Sequence, residues 1–151
     1  MKIYLATTFG DKTSDFRINA MSVARILRIN CGHEVYCPWE HEIPHAWDYP
    51  NNEWALMVFT NDVTAIKEAD VVVMLSYGRM GNAAGSNWEA GYAFGIGKRV
   101  VVIEMAENAV MSLMVANGRY ATLPFDDEAI QDYFMYEYED MPEYRTLTEQ
   151  K

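Results

Sequence analysis

The 151-residue sequence has few cysteines and no long hydrophobic run. Its two cysteines, Cys31 and Cys37, are too few for a disulfide framework, and we expect both to be thiols. No segment approaches the roughly eighteen apolar residues of a membrane span. Met-Lys followed at once by strand-like residues does not resemble a signal peptide. These absences predict a cytoplasmic protein without a membrane partner.

Basic residues are also scarce. Twelve Lys and Arg stand against 22 Asp and Glu, which gives a formal net charge of −10. Such a chain repels a phosphate backbone, and no basic stripe interrupts the acidity. We therefore expect no nucleic-acid partner. A small molecule is the predicted ligand.

The motifs of several enzyme classes are missing. The sequence contains neither a P-loop nor GxGxxG, and no serine lies in a nucleophile elbow. Five residues could suggest a metal site, but they lack CxxC spacing, and Pro44 breaks the helical geometry that the last two would need. They are Cys31, His33, Cys37, His41 and His45. We predict no metal and no cofactor.

Apolar strands alternate with helical patterns along the chain. Runs typical of strands occupy residues 2–8, 33–37, 71–75, 100–103 and 120–123, and helical patterns occupy 16–27, 51–69, 86–97, 110–116 and the segment from 126. This alternation predicts an α/β fold with a parallel sheet. We expect one domain over residues 1–151, a flavodoxin-like (Rossmann-like) five-stranded sheet of order 2-1-3-4-5 with helices on both faces.

In that strand order, ligands bind beyond the carboxyl ends of strands 1 and 3. The loops at Thr7–Gly10 and Ser76–Gly85 should therefore define the site. Hydroxyls and amides of Thr7, Thr8, Phe9 and Gly10 could bind sugar or phosphate oxygens, although such residues also occur in loops without function.

Glu89 is the leading candidate for chemistry. In Gly85-Ser86-Asn87-Trp88-Glu89 it should lie in the first turn of the helix after strand 3, where the helix N-terminus favours an ionised carboxylate. The alternative is a capping box, with Ser86 at the N-cap and Glu89 at N3. The helix that follows is apolar on every side, which predicts a buried helix beside a subunit interface.

Asp62 and Tyr4 are further candidates. At about 100° per residue, Asp62 falls among apolar residues of its helix, where an unpaired carboxylate would be costly. It could instead pair with a neighbour such as Arg79. Tyr4 could point its hydroxyl at the same crevice or simply be part of the core.

Several segments together resemble the nucleoside 2-deoxyribosyltransferases and the related 2′-deoxynucleoside 5′-monophosphate N-glycosidases. They are KIYLATTFG at residues 2–10, NDVTAIKEADVVV at 61–73, GSNWEAGYA at 85–93 and GKRV at 97–100. The resemblance implies that Glu89 attacks the anomeric carbon to form a covalent ester and that Tyr4 orients it. It implies that Asp62 serves the sugar hydroxyls or protonates the departing base.

The resemblance also implies a substrate and a partner. The substrate is a nucleoside or nucleotide, with a nucleobase or water as acceptor. The partner is a second copy in a homodimer or larger homo-oligomer, whose Ser112 and Met114 complete the site. Core packing is the alternative for Leu113 and Met114. Further binding residues are Gly85 and Ser86, and the aromatic residues available to stack on a base are Trp47, Tyr49, Trp54 and Tyr77.

One departure concerns the acceptor. Many transferases of this family carry an aspartate six residues before the nucleophile, where this chain has Ala83. The monophosphate-cleaving relatives have a small residue there and a serine near position 112, but they also use a basic residue in the first loop, for which only Lys12 is available. We favour the transferase. A glycosidase and a non-catalytic nucleotide-binding domain remain the alternatives.

Overall fold

The computed structural model describes residues 1–8, 15–78, 83–107 and 111–144. Five strands form one sheet of order β2-β1-β3-β4-β5, and every neighbouring pair is parallel. The strands are β1 (Lys2–Ala6), β2 (Glu34–Tyr36), β3 (Val71–Ser76), β4 (Arg99–Glu104) and β5 (Ala121–Pro124). The predicted fold class and strand order are confirmed.

Five α-helices in the described ranges cover the two faces of the sheet. They are α1 (Asp15–Arg25), α2 (Asn51–Glu68), α3 (Ala84–Gly95), α4 (Leu113–Gly118) and α5 (Asp127–Phe134). A π-helical turn, Ile26–Asn30, extends α1, and short 3₁₀ turns cover Pro38–Glu40, Ala46–Asp48 and Tyr138–Asp140. None of the helices in the described part of the chain is long and apolar enough to span a membrane.

The sheet has a separate hydrophobic core on each of its two faces. On one face, α1 and α5 pack on alternate residues of the central strands, including Val71, Val73 and Leu75. On the other face, α2, α3 and α4 pack on the intervening residues, including Tyr4, Val72 and Met74. Because side chains alternate along a strand, the parity of a residue determines which core it joins. Tyr4 therefore faces α2 and α3.

Side-chain caps begin the two helices nearest the C-terminus. Asp126 Oδ1 accepts a hydrogen bond of 2.9 Å from the Ala129 amide at the start of α5. Ser112 Oγ accepts one of 3.2 Å from the Val115 amide, so α4 begins at Leu113, three residues later than the apolar pattern predicts. Both contacts satisfy amides that a helix N-terminus leaves unpaired.

Candidate active site

Glu89 does not form a capping box. The helix α3 begins at Ala84, two residues earlier than predicted, and its N-cap is Ala83, which makes no side-chain cap. Glu89 therefore lies in the second turn, where its carboxylate has no role at the helix end. Instead, Glu89 Oε1 accepts a hydrogen bond of 2.9 Å from the hydroxyl of Tyr4.

Tyr4 supplies that hydroxyl from within the sheet. Its side chain is fully buried at the centre of β1, on the face that α2 and α3 cover. A buried tyrosine hydroxyl needs a hydrogen-bond partner, and Glu89 provides it across 85 residues of sequence. Tyr4 is thus both a core residue and a fixed donor to a carboxylate.

Asp62, on α2, lies in the wall of a cavity that Glu89 also lines. The cavity lies between α2 and α3, has a volume of about 460 Å³ and contains both carboxylates in its wall. It is lined by Trp54, Ala55, Val58, Phe59, Asp62, Val63, Ile66, Gly85, Trp88 and Glu89. Apart from the two acids the side chains are apolar, and Trp54, Phe59 and Trp88 contribute aromatic rings. The suggested partner Arg79 lies outside the described residues.

Burial raises the pKa of both carboxyl groups. For Glu89 the pKa rises to about 7, mainly because burial disfavours the charge and further because Asp62 lies nearby, while the Tyr4 hydrogen bond opposes the rise. For Asp62 the pKa rises to about 6 through burial, while the Tyr36 hydroxyl and His41 lower it. The prediction that Glu89 lies in the first turn of the helix, where the N-terminus would favour its charge, is wrong, because α3 begins at Ala84 and Glu89 lies in the second turn.

The two acids also raise the pKa of Tyr4. Burial and the charges of Glu89 and Asp62 all raise the pKa of Tyr4. Tyr4 therefore stays protonated and remains a hydrogen-bond donor at any pH at which the protein works. The arrangement offers one carboxylate held by a fixed donor, a second carboxylate in the lining of the same cavity, and an apolar space for a flat molecule.

The family follows from the sequence. The sequence model of the family described as nucleoside 2-deoxyribosyltransferase matches residues 3–122. The chain belongs to the nucleoside 2-deoxyribosyltransferase family. It is accordingly a glycosyl-transferring enzyme.

Solved structures agree with this placement in the 2-deoxyribosyltransferase family. A 2-deoxyribosyltransferase from Bacillus psychrosaccharolyticus is 26% identical, with a TM-score of 0.84 over 97% of this chain and 100% of that one. Two others share the fold alone. A conserved protein from Enterococcus faecalis V583 is 20% identical, with a TM-score of 0.63 over 88% of this chain and 96% of that one. A CMP N-glycosidase from Clostridium botulinum is 14% identical, with a TM-score of 0.54 over 87% and 96%. A search of curated proteins finds no match.

The first loop contributes less to the described cavity than the sequence predicts. Thr7 and Thr8 are buried at the end of β1, and the Thr7 hydroxyl donates to the Thr8 carbonyl at 3.3 Å. Neither lines the cavity between α2 and α3, whereas Gly85 does and Ser86 is buried beside it. Phe9, Gly10 and Lys12 lie outside the described residues.

Of the four aromatic residues predicted to stack on a base, Trp54 lines the cavity, whereas Trp47 and Tyr77 are placed elsewhere and Tyr49 is not in the lining. Tyr77 joins the core on the opposite face of the sheet, where its ring packs edge-on against Phe16 and its hydroxyl donates to the Phe16 carbonyl at 3.4 Å. Trp47 is 81% exposed and contacts the ring of His45. Neither lines the carboxylate cavity, because parity directs Tyr77 away and Trp47 lies in an outer 3₁₀ turn.

The α3–α4 face is more exposed than the apolar sequence of α3 predicts. Only Ser86, Ala90 and Ala93 of α3 are buried in the single chain, so burial of the rest of the helix would require a neighbouring subunit. Leu113 and Met114 of α4 are 63% and 84% exposed, so the alternative of core packing is wrong. Between the two helices lies an apolar pocket of about 470 Å³.

The five His and Cys residues do not assemble. Within the described ranges, no three His, Cys, Asp or Glu side chains could together hold a metal ion. His33 contacts the carbonyl of Phe134 at 2.7 Å, Cys37 is buried at the end of β2, and His41 stacks on Tyr36. Tyr36 and His41 are the residues near Asp62 that the sequence reasoning missed. The feature that could have pointed to Tyr36 is its place in the short strand β2, which pairs with β1.

Proposed function

We propose that this chain is a nucleoside 2-deoxyribosyltransferase that moves the sugar of a 2′-deoxynucleoside to another nucleobase through a deoxyribosyl ester on Glu89. The observation that carries the proposal is the 2.9 Å hydrogen bond from the Tyr4 hydroxyl to Glu89 Oε1 inside a cavity that also contains Asp62. A fixed donor on one oxygen orients the carboxylate and leaves Oε2 to attack. This is the arrangement of an activated carboxylate nucleophile.

The first step forms the ester. Ionised Glu89 attacks C1′ of the sugar, the C1′–N bond breaks, and the base departs with the electron pair. Asp62 in its protonated form gives its proton to the departing base, for which its raised pKa of about 6 is suited. The Tyr4 hydroxyl keeps its hydrogen bond to the oxygen that does not attack.

The second step returns the sugar to an acceptor. A nitrogen of the incoming base attacks C1′, the C1′–Oε2 bond breaks, and Asp62 takes the proton that the incoming base loses. Two inversions give net retention at C1′, as in retaining glycosidases. The aromatic wall formed by Trp54, Phe59 and Trp88 suits a flat heterocycle better than water.

The proposal includes a second copy of the chain. Leu113 and Met114 project from α4 into solvent beside the apolar pocket at α3, and burying them would remove a large apolar surface from water. We expect a homodimer or larger homo-oligomer in which a neighbouring Ser112 and Met114 complete the site. Ser112 would then leave or share its cap on Val115 to contact the substrate.

Hydrolysis is the second candidate, and one observation favours it. Ala83, at the N-cap of α3, brings no carboxylate to the position that many transferases fill with aspartate. A non-catalytic role loses its basis, because it required Glu89 to act only as a helix cap.

A base-exchange assay tests the proposal. The protein is incubated with a 2′-deoxynucleoside and a second free base, and separately with the deoxynucleoside alone and with a deoxynucleoside monophosphate alone, and the bases are followed by chromatography. We expect a new deoxynucleoside only in the first mixture. Release of base at equal rates with and without the second base would overturn transfer in favour of hydrolysis.

A further inference from the structure

Tyr36 is clamped between two rings on the site face of the sheet. Tyr4 and Tyr36 are direct partners in the register of β1 and β2, and their rings stack at 5.6 Å with an interplanar angle of 13°. On its other side, Tyr36 stacks on His41 at 4.0 Å with an angle of 4°. Contact on both faces fixes the ring plane and therefore the position of the hydroxyl.

The hydroxyl so fixed points at Asp62. Tyr36 Oη lies 3.5 Å from Asp62 Oδ1, whereas Tyr4 Oη lies 2.9 Å from Glu89 Oε1. An ordinary O–H···O bond measures about 2.5–3.0 Å, so the Tyr36 contact is weak in the free protein. Each carboxylate of the cavity thus has its own tyrosine, from adjacent strands.

We propose that Tyr36 is a positioning residue for Asp62, whose hydroxyl holds that carboxyl group toward the cavity while His41 holds the Tyr36 ring in place. The inference rests on the proposed function, in which Asp62 hands a proton to the departing base. In this scheme Tyr36 touches neither the sugar nor the bases. It acts only through Asp62.

The charges around Asp62 determine what the loss of this hydroxyl does. Burial raises the pKa of Asp62, and the Tyr36 hydroxyl and His41 oppose that rise because both favour the ionised form. The second carboxylate of the cavity, Glu89, lies in the same wall and disfavours two simultaneous charges. Removing the Tyr36 hydroxyl should therefore raise the pKa of Asp62 and leave its carboxyl group free to rotate.

A double-mutant cycle on deoxynucleoside turnover tests the proposal. Tyr36→Phe keeps the ring stack and removes only the hydroxyl, and we expect kcat/KM to fall by about three- to tenfold, the range for one hydrogen bond. In an Asp62→Ala background the same substitution should change kcat/KM by less than about twofold. An equal loss in both backgrounds, or no loss in either, would overturn the proposal.

Two controls separate positioning from folding. Tyr120→Phe removes a tyrosine hydroxyl that donates to the Met141 carbonyl at 2.7 Å, away from the cavity, and should lower stability without changing the cycle. Tyr36→Leu removes ring and hydroxyl together. If Tyr36 only packed, Tyr36→Phe would match the wild type and Tyr36→Leu alone would lose activity, which contradicts the proposal.

A readout without turnover keeps this inference distinct from the proposed function. Carbon NMR of labelled aspartate follows the titration of Asp62 directly, with Asp62→Ala identifying its signal. We expect a higher Asp62 pKa in Tyr36→Phe and in His41→Ala than in the wild type. An unchanged Asp62 titration in both variants would refute the positioning role, whether or not the protein proves to be a transferase.

Discussion

Replacing Glu89 by glutamine should make the protein inactive and, at alkaline pH, more stable. In the wild type, Glu89 accepts a hydrogen bond of 2.9 Å from the Tyr4 hydroxyl. The amide oxygen of glutamine can still accept this bond, but glutamine cannot attack C1′. We expect turnover to fall by at least about a thousandfold, as for other lost nucleophiles. The gain in stability comes from removing a partly buried charge.

The size of that gain follows from the pKa shift. Folding raises the pKa of Glu89 from 4.5 to about 7, so the folded state holds the proton more tightly than the unfolded state. The contribution of Glu89 to stability is therefore full below pH 4.5 and is lost as pH rises through 7. At about 1.36 kcal/mol per pH unit, the loss approaches about 3 kcal/mol. The glutamine in Glu89→Gln does not titrate, so the variant does not lose this stability as pH rises.

Urea unfolding of both proteins at pH 5 and pH 8.5 measures the difference. The lower value stays above the isoelectric point of about 4.6. Relative to wild type, the free energy of unfolding of Glu89→Gln should rise by about 2–3 kcal/mol between the two pH values. The control Glu34→Gln, at an exposed position of β2, should show no such rise. A gain independent of pH would refute the claim that Glu89 is a partly buried charge.

Three further outcomes can be checked. Tyr4→Phe removes the contact that lowers the pKa of Glu89, so that pKa should rise and kcat/KM at pH 7 should fall by about tenfold or more, as steady-state rates across pH would show. In the wild type, the pH profile of kcat/KM should be bell-shaped with its maximum between pH 6 and 7, because Glu89 must be ionised to attack and Asp62 must be protonated to act as the proton donor. A profile that rises to a plateau above pH 7 would assign Asp62 to the sugar hydroxyls instead. Leu113→Arg should shift sedimentation velocity toward smaller species and lower activity in parallel, whereas an unchanged assembly would contradict an interface at α4.

The sheet could be predicted because its central strands are continuous apolar runs. Residues 71–75 and 100–103 can be buried only between two layers of helices, and the structure buries them on both faces. The start of α3 was harder to locate. Ala83, Ala84 and Gly85 carry no capping side chain, so the sequence favoured Ser86, where a capping motif happens to occur.

The candidate site was predictable only where one residue carried the signal. Glu89 and Asp62 are acids among apolar neighbours, which is rare enough to be noticed. Tyr77 and Tyr36 are aromatic residues among many. Their faces depend on strand parity and register, which place Tyr77 in the opposite core and Tyr36 beside Tyr4. Composition alone cannot make that distinction.

Tyr4 and Tyr36 affect the protonation of the two carboxyl groups to different extents. The pKa values of both carboxyl groups are raised, to about 7 for Glu89 and about 6 for Asp62, so the pair shares a proton near neutral pH, and Glu89 is the group that must be ionised to attack. Of the described contacts of Glu89, the 2.9 Å bond from Tyr4 is the one that favours its charge. The Tyr36 bond works in the opposite sense, because it favours charge on the proton donor, but at 3.5 Å it is the weaker of the two. This inequality lets a usable fraction of the protein carry its proton on Asp62, and loss of the Tyr4 hydroxyl should therefore cost more activity than loss of the Tyr36 hydroxyl.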